Sequence, residues 1–251
     1  MLTAADREII AELDALTNEY NRRHREDRLK YYNTGRKVHH KQLEFHACPK
    51  RNRWMLGGNR TGKTECGAAE AAYWARGNHP YRRITRPTDG WVVSLTNEVQ
   101  RDVAQKKLLS YLNPAWIVDV KTRMGRADDM ENAIIDYILV ESIHGGVSRI
   151  GFKSCDQGRG KFQGTSLDWV WFDEEPPEEI YQECQMRIID RRGDIWGTMT
   201  PLMGLTWVHD VIYRNERNDP NVWCGIMVDK GVRLLGTYLR YRSGKWTMIK
   251  I

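Results

Sequence analysis

Gly57-Gly58-Asn59-Arg60-Thr61-Gly62-Lys63-Thr64 is the most informative stretch of this 251-residue chain. It fits the pattern G-x4-G-K-[ST], a loop whose backbone N–H groups converge on phosphate oxygens at the positive end of a helix. Lys63 is expected to contact the β- and γ-phosphates of a nucleotide, and the hydroxyl of Thr64 is expected to bind Mg²⁺. Apolar Trp54-Met55-Leu56 precedes this P-loop and an alanine-rich stretch from Glu65 to Arg76 follows it. These neighbours predict a strand before the P-loop and a helix after it.

A second motif combines an apolar run with adjacent acids. Trp169-Val170-Trp171-Phe172 is followed directly by Asp173, Glu174 and Glu175. A buried parallel strand delivers such acids to the carboxyl edge of the sheet, beside a P-loop. Asp173 is expected to hold Mg²⁺, directly or through water, and Glu174 to orient and polarise an attacking water, with Glu175 as its alternative. An acidic first turn of the helix after Pro176-Pro177 is the plainer interpretation. The P-loop favours the catalytic one.

A third motif, Gly197-Thr198-Met199-Thr200-Pro201, predicts a short strand that ends in small polar residues. In motor ATPases, a hydroxyl or amide at such a strand tip can sense the γ-phosphate and transmit its loss to a neighbouring subdomain. An ordinary strand and turn would explain the segment equally well.

Strands and helices alternate along most of the chain. Apolar runs bounded by Gly, Asn and Asp predict further strands at 91–95, 133–140 and 149–153, and residues 98–112 predict a helix. Alternation of this kind is typical of α/β proteins with a mostly parallel central sheet flanked by helices. Together with the P-loop it predicts a P-loop NTPase with an ASCE or RecA-like ATPase core.

The composition narrows the class of protein further. A hydrophobic content of 41% and a charged content of 29% fit a soluble globular domain. No segment approaches the eighteen apolar residues of a membrane span, the first residues lack the order of a signal peptide, and the five cysteines form no CxxC pair. We therefore expect a cytosolic protein with no membrane partner. The net charge of +6 permits a polyanionic partner without requiring one.

In order along the chain, these motifs resemble the ATPase domain of the large terminase subunit of tailed bacteriophages, a DNA-packaging motor. The resemblance covers about residues 37–229. It also includes His40-Lys41-Gln42-Leu43-Glu44-Phe45-His46 before the P-loop and Gly158-Arg159-Gly160-Lys161-Phe162-Gln163-Gly164 before the acidic strand end. The P-loop is specific by itself, and the ordered set is more so.

The resemblance implies roles for several side chains. Gln42 helps recognise adenine, because a carboxamide can donate and accept across the base edge. Arg60 can swing toward the γ-phosphate, and Thr200 couples hydrolysis to movement. In such motors one subunit lends an arginine to the ATP of its neighbour. Arg159 and Lys161 are the candidates here, although a basic surface loop explains them equally well.

The resemblance also implies cofactors and partners. The cofactors are ATP and Mg²⁺, and the partners are double-stranded DNA, the terminase small subunit and the portal protein. The assembly is a homo-oligomeric ring, commonly a pentamer, in the host cytoplasm and transiently at the portal of the procapsid.

Three regions are predicted. Residues 1–36 form an N-terminal helical segment, residues 37–229 form the P-loop ATPase domain with a small lid after the coupling segment 197–201, and residues 230–251 form a basic tail. The helix is predicted from Thr3 to about Tyr32, and its basic run from Arg22 to Lys30 fits a solvated face better than a phosphate contact. No Asp or Glu follows Asp229, so nuclease activity of the two-metal type is not expected from this chain.

Three other functions remain open from the sequence. A helicase or other nucleic-acid translocase would share the ATP chemistry but would need a second motor lobe. A small-molecule P-loop kinase would need an acceptor pocket and an arginine-rich lid. A scaffold would bind nucleotide without turnover.

Overall fold

The computed structural model describes residues 6, 9–18, 28–35, 38–202, 204–227, 237–242 and 245–250, the last two ranges by their backbone alone. Residues 9–18 are helical and exposed to solvent, but residues 28–33 form turns. The prediction of one helix to about Tyr32 is therefore wrong at its C-terminal end, where Leu29 is buried and Tyr32 hydrogen-bonds to His46. The predicted Thr3 cap and most of the basic run after Arg22 lie outside the described residues.

Within the described residues, eight strands form one sheet in the order β3-β4-β5-β2-β6-β7-β1-β8. The strands are β1 (Asn52–Gly57), β2 (Asp89–Ser94), β3 (Ile117–Met124), β4 (Ile134–Glu141), β5 (Val147–Ser154), β6 (Trp169–Asp173), β7 (Asp194–Met199) and β8 (Val222–Met227). All pairings from β5 to β8 are parallel, whereas β3, β4 and β5 pair antiparallel at one edge. The expected mostly parallel sheet is confirmed.

Helices lie before and between these strands. They are α1 (His40–Ala47), α2 (Lys63–Arg76), α3 (Asn97–Val99, π-helical Gln100–Gln105 and Lys106–Leu109) and α4 (Glu178–Ile188). A further π-helical turn, His209–Tyr213, leads to β8. The strand pair β9 (Thr237–Arg242) and β10 (Lys245–Lys250) is antiparallel and lies in the region predicted as a basic tail.

Alternate residues of β6 serve the two faces of the sheet. Trp169 and Trp171 face the apolar cluster that contains the alanines of α2, whereas Val170 and Phe172 face the cluster that contains α4. Period-two alternation in a strand covered on both faces produces this arrangement. The prediction of helices flanking the sheet is therefore confirmed.

The helix after the P-loop lies unusually close to the sheet. A Cβ atom at Gly67 of α2 would be 2.4 Å from Nε1 of Trp171, so only glycine allows the helix to approach this indole. The helix follows Gly62 in the left-handed conformation (φ +89°) and ends at Gly77, which is also left-handed (φ +83°).

Two strands of the eight-stranded sheet were not predicted from the sequence. β3 carries charged residues at alternate positions and pairs only with β4, as suits an exposed edge strand. β8 pairs parallel with β1 at the other edge of the sheet. Its short apolar run lies beyond segment 197–199, which the sequence predicts to be the last strand of the sheet.

A buried ion-pair network joins β1, α2 and β7 at the end of the sheet away from the P-loop. Nη2 of Arg53 lies 2.7 Å from Oε1 of Glu70 and 2.9 Å from Oδ2 of Asp194. Nη1 of Arg53 donates to the carbonyl oxygen of Phe45 at 3.0 Å. Because Arg53 and Glu70 are fully buried, each charge depends on the other for compensation. The network fixes β1 against α2.

Two histidines complete the shell around Glu70. Nδ1 of His79 accepts from the backbone N–H groups of Tyr81 and Arg82, so its Nε2 carries the proton that is donated to Oε2 of Glu70 at 3.0 Å. Nδ1 of His46 lies 2.5 Å from the same oxygen. Burial would raise the pKa of Glu70, but Arg53 and His79 hold it well below its ordinary value. His46, Glu70 and His79 have the spacing of a metal site, but His79 has no free lone pair for a metal.

We predict that Glu70→Gln lowers the free energy of unfolding by about 3 kcal/mol or more, because it removes one partner of a buried ion pair. Urea denaturation measures this difference. Glu44→Gln is the matched control, since Glu44 is exposed and its only ion pair within the described residues is with Lys41, and we expect a change within about 0.5 kcal/mol. Equal, small effects of both substitutions would contradict the assigned role of the network.

Candidate active site

The P-loop (residues 57–64) connects β1 to α2, as the sequence predicted. A Cβ atom at Gly57 would lie 2.6 Å from the carbonyl oxygen of Met227, so glycine is required where β1 passes β8. Arg60 (φ +62°) and Gly62 (φ +89°) are both left-handed, and such turns expose successive backbone N–H groups to an anion. Gly58, Asn59 and Arg60 are exposed, so this rim of the loop is accessible to a nucleotide.

Lys63 points back into the P-loop. Its Nζ donates to the carbonyl oxygen of Gly58 at 2.6 Å, and the residue is 5% exposed. Burial lowers the pKa of Lys63, against the opposing effect of the Glu174 and Asp173 carboxylates. Lys63 therefore interacts electrostatically with both Asp173, the predicted metal ligand, and Glu174, the predicted water-directing acid.

Asp173 ends β6 and contacts two neighbouring elements. Its Oδ1 accepts from the hydroxyl of Thr64 at the start of α2 and from the hydroxyl of Thr198 on β7, both at 3.1 Å. Burial, and then Glu174, raises the pKa of Asp173 to about 7, although Thr64, Thr198 and Lys63 oppose this shift. The neighbouring groups of the protein do not fully compensate the negative charge of this carboxylate, so a bound cation would stabilise its ionised form.

The hydroxyl of Thr198 was not singled out from the sequence. It accepts from the indole N–H of Trp171 at 2.8 Å, and its own hydrogen is therefore free for Asp173. Thr198 and Asp173 are direct partners in the parallel pairing of β6 with β7. Once the order of these strands is known, the register identifies Thr198. The sequence alone does not give that order.

Glu174 lies next to the coupling segment. Its backbone N–H donates to the carbonyl oxygen of Thr198, and its Oε2 accepts from the backbone N–H of Thr200 at 2.8 Å. Glu174 has a φ of +72°, which is uncommon for a residue with a side chain. The hydroxyl of Thr200 donates to Oδ1 of Asn59 in the P-loop at 3.2 Å.

Glu175, the alternative to Glu174, has different surroundings. Burial raises the pKa of Glu175, and the side chain of Thr206 hydrogen-bonds to it. Glu174 is thus the acid that contacts the coupling segment.

Gln42 packs against the P-loop. Its Nε2 donates to the carbonyl oxygen of Gly62 at 3.1 Å, which leaves one N–H and Oε1 for a base. A Cβ atom at Gly62 would lie 3.0 Å from the same Nε2. Gln42 is therefore near the expected nucleotide, and its contact with adenine stays a prediction.

Three predicted cations do not contact this cluster. Arg60 is exposed and makes no hydrogen bond or ion pair with any residue that the structure describes. Arg159 pairs instead with Glu183 of α4, with Nε 2.8 Å from Oε2. Lys161 is exposed on the same short 3₁₀ turn, Arg159–Phe162. An arginine that acts on a neighbouring subunit need not contact its own P-loop.

The site has the features that define the class of P-loop NTPases. These are a strand, a glycine loop, a helix that begins with Lys63 and Thr64, and an acid on a nearby parallel strand. Residues 54–246 match the family "Terminase large subunit, T4likevirus-type, N-terminal", and the chain belongs to this family. The family resemblance inferred from the motifs is confirmed.

Individual relatives agree with this assignment. The large terminase subunit of Salmonella phage P22 is 28% identical over 213 residues, which cover 72% of this chain and 42% of that protein. The chain thus spans less than half the length of this relative. No helix in the described part of the chain has the length and apolar character to cross a membrane.

Solved structures support the fold. The large terminase ATPase domain of Thermus phage P74-26 has a TM-score of 0.55 and 18% identity, covering 76% of this chain and 80% of that one. A large terminase of the thermophilic bacteriophage D6E, solved in complex with ADP, has a TM-score of 0.54 and 19% identity, covering 75% and 45%.

We predict that Thr198→Val raises the pKa of Asp173 further above its value of about 7, because one hydrogen bond to the carboxylate is lost. Carbon-13 NMR titration of labelled aspartates measures this shift. Thr198→Ser keeps the hydroxyl and should titrate like the wild type. An unchanged titration in the valine variant would show that Thr198 does not tune Asp173.

Proposed function

We propose that this chain is the motor domain of a phage DNA-packaging machine, in which Mg²⁺-dependent hydrolysis of ATP drives double-stranded DNA into a viral procapsid. The observation that carries the proposal is the hydrogen bond from Thr64 to Asp173, with Lys63 beside both acids. It brings the phosphate-binding loop and the acidic strand end into one site. Membership of the terminase family supplies the biological setting.

ATP binding is assigned to the P-loop. The backbone N–H groups of residues 57–64 would surround the phosphates, and Lys63 would exchange the carbonyl oxygen of Gly58 for phosphate oxygens. Gln42 would recognise adenine. Arg60, exposed at the rim, would reach the γ-phosphate.

The residues present fit a magnesium ion. Thr64 offers a hydroxyl oxygen and Asp173 a carboxylate, which are the hard ligands that Mg²⁺ prefers. Bound Mg²⁺ would neutralise charge on the phosphates and hold them in a fixed orientation. Asp173 is nearly fully buried, so a cation would compensate a carboxylate that the protein leaves short of positive charge.

Hydrolysis is assigned to Glu174. Its carboxylate would orient and polarise the attacking water, and Thr200 would report the loss of the γ-phosphate to the following subdomain. Because Glu174 contacts the backbone of Thr200, the catalytic acid and the coupling segment are already in contact.

The assembly follows from the same proposal. The motor would act as a homo-oligomeric ring, with pentamer the expected size, together with the small subunit and the portal protein in the host cytoplasm. Arg159 or Lys161 would act on the ATP of a neighbouring subunit, which for Arg159 requires release from Glu183. We assign no nuclease activity to residues 1–251.

We predict that Lys63→Ala and Glu174→Gln each reduce single-turnover phosphate release by about a hundredfold or more, because each removes a group that acts on the transferred phosphate or the water. Lys106→Ala is the control, since Lys106 is exposed and pairs with Asp102 on α3. Full activity in either site variant would exclude the mechanism.

A pH dependence follows from Asp173. Its pKa in the free protein is raised to about 7, and cation binding requires the ionised form. The affinity for Mg²⁺ and ADP should therefore fall by about tenfold for each pH unit below 7 and level off above it. A carboxyl pKa raised in the folded state also means that this group stabilises the free fold most below its ordinary value of about 3.9 and loses that contribution as pH rises through 7.

Calorimetric titration with ADP at several pH values tests this dependence. Thr198→Val should move the midpoint to higher pH, whereas ionisation of the nucleotide itself is the same for both proteins. A midpoint shared by both proteins would assign the pH dependence to the nucleotide and not to Asp173.

A further inference from the structure

The side chain of Asn59 connects the P-loop to the coupling segment. Its Oδ1 accepts from the hydroxyl of Thr200 at 3.2 Å, although the two residues are 141 positions apart in sequence. The P-loop pattern fixes only the glycines, Lys63 and Thr64, because phosphate is bound by backbone N–H groups at the other positions. The carboxamide of Asn59 is therefore available for another role.

Thr200 carries this contact on to Glu174. While its hydroxyl bonds to Asn59, its backbone N–H donates to Oε2 of Glu174 at 2.8 Å. One residue thus holds a P-loop side chain with one group and the candidate water-directing acid with another.

The backbone conformation of Glu174 makes the position of its side chain depend on the hydrogen bond from Thr200. Its φ of +72° is an unusual conformation for glutamate and is maintained by surrounding contacts, among them the bond from its N–H to the carbonyl oxygen of Thr198. A side chain on such a backbone depends on its neighbours for its position. The backbone N–H of Thr200 is one neighbour that hydrogen-bonds to this carboxylate.

We propose that Asn59 is a positioning residue for Glu174 and acts through Thr200. The inference rests on the proposed function and adds a specific route from the P-loop to the catalytic acid. Nucleotide binding fixes the conformation of the P-loop, and the P-loop fixes the position of the Asn59 carboxamide. This carboxamide holds Thr200 in place, and Thr200 in turn holds Glu174. A change in the P-loop when phosphate leaves would then release Glu174 and the coupling segment together.

Exposure of the pair makes the proposal testable. Asn59 is exposed and Thr200 is partly exposed, so water replaces their hydrogen bond when either side chain is changed, and the fold is little affected. An effect on turnover then reports positioning and not unfolding.

The experiment is a double-mutant cycle in the full chain with Asn59→Ala, Thr200→Val and the pair combined. Steady-state phosphate release at saturating Mg²⁺ and ATP gives kcat, and calorimetry gives the Kd for ADP. Each single variant should lower kcat about tenfold while Kd stays within about twofold, because phosphate is bound by the backbone. The double variant should be no slower than the slower single variant.

Asn59→Asp provides the rescue, since it keeps an acceptor oxygen in the same place. It should recover kcat relative to Asn59→Ala but weaken ADP binding, because a carboxylate lies near the phosphates.

Other outcomes would overturn the inference. Unchanged kcat in Asn59→Ala, or an effect confined to Kd, would make Asn59 an ordinary loop residue. A double variant slower by the product of the two single effects would mean that the residues act separately. If the wild type hydrolyses ATP and Lys63→Ala abolishes this hydrolysis, either of these two outcomes overturns only the route through Asn59 and leaves the proposed function intact. A wild type without turnover would overturn the proposed function and this inference together.

Discussion

The site depends on one buried carboxylate that is shared between two elements. Asp173 ends β6, yet its Oδ1 is bound by a hydroxyl from the start of α2 and by another from β7. Since β7 lies between β1 and β6, these bonds join the P-loop to an acid two strands away. The same burial that raises the pKa of Asp173 makes a cation favourable beside it. The residues proposed to bind phosphate and metal therefore belong to one structural unit.

A buried ion pair at the opposite end of the sheet stabilises the arrangement of this site. Arg53 in β1 and Glu70 in α2 form a fully buried pair, so the strand that leads into the P-loop and the helix that leaves it are fixed to each other. Gly67 lets α2 lie directly on Trp171, whose indole orients the Thr198 hydroxyl toward Asp173. Packing of the core thus determines the geometry of the polar site. A short loop held at both ends gives its backbone N–H groups little freedom, as tight phosphate binding requires.

The sequence predicted what depends on local chemistry. The P-loop, the acids after β6 and the mostly parallel sheet all follow from short patterns of glycine, charge and alternation. Thr198 could not be singled out, because its role depends on β7 lying beside β6 in a particular register. The contact between Asn59 and Thr200 likewise joins distant parts of the chain. β3 was missed because its alternate residues are charged, and the role of Arg159 stays a prediction because a neighbouring subunit would be its partner.

Thr64 and Asp173 are proposed to bind the same metal ion beside a nucleotide on the P-loop. The most direct measurement is a crystal structure with ADP and Mn²⁺, in which anomalous scattering locates the ion. We expect an ion about 2.1 Å from the Thr64 hydroxyl, bound to Asp173 directly or through one water, with the ADP phosphates on the P-loop. An ion and nucleotide bound away from Lys63, Thr64 and Asp173 would contradict it.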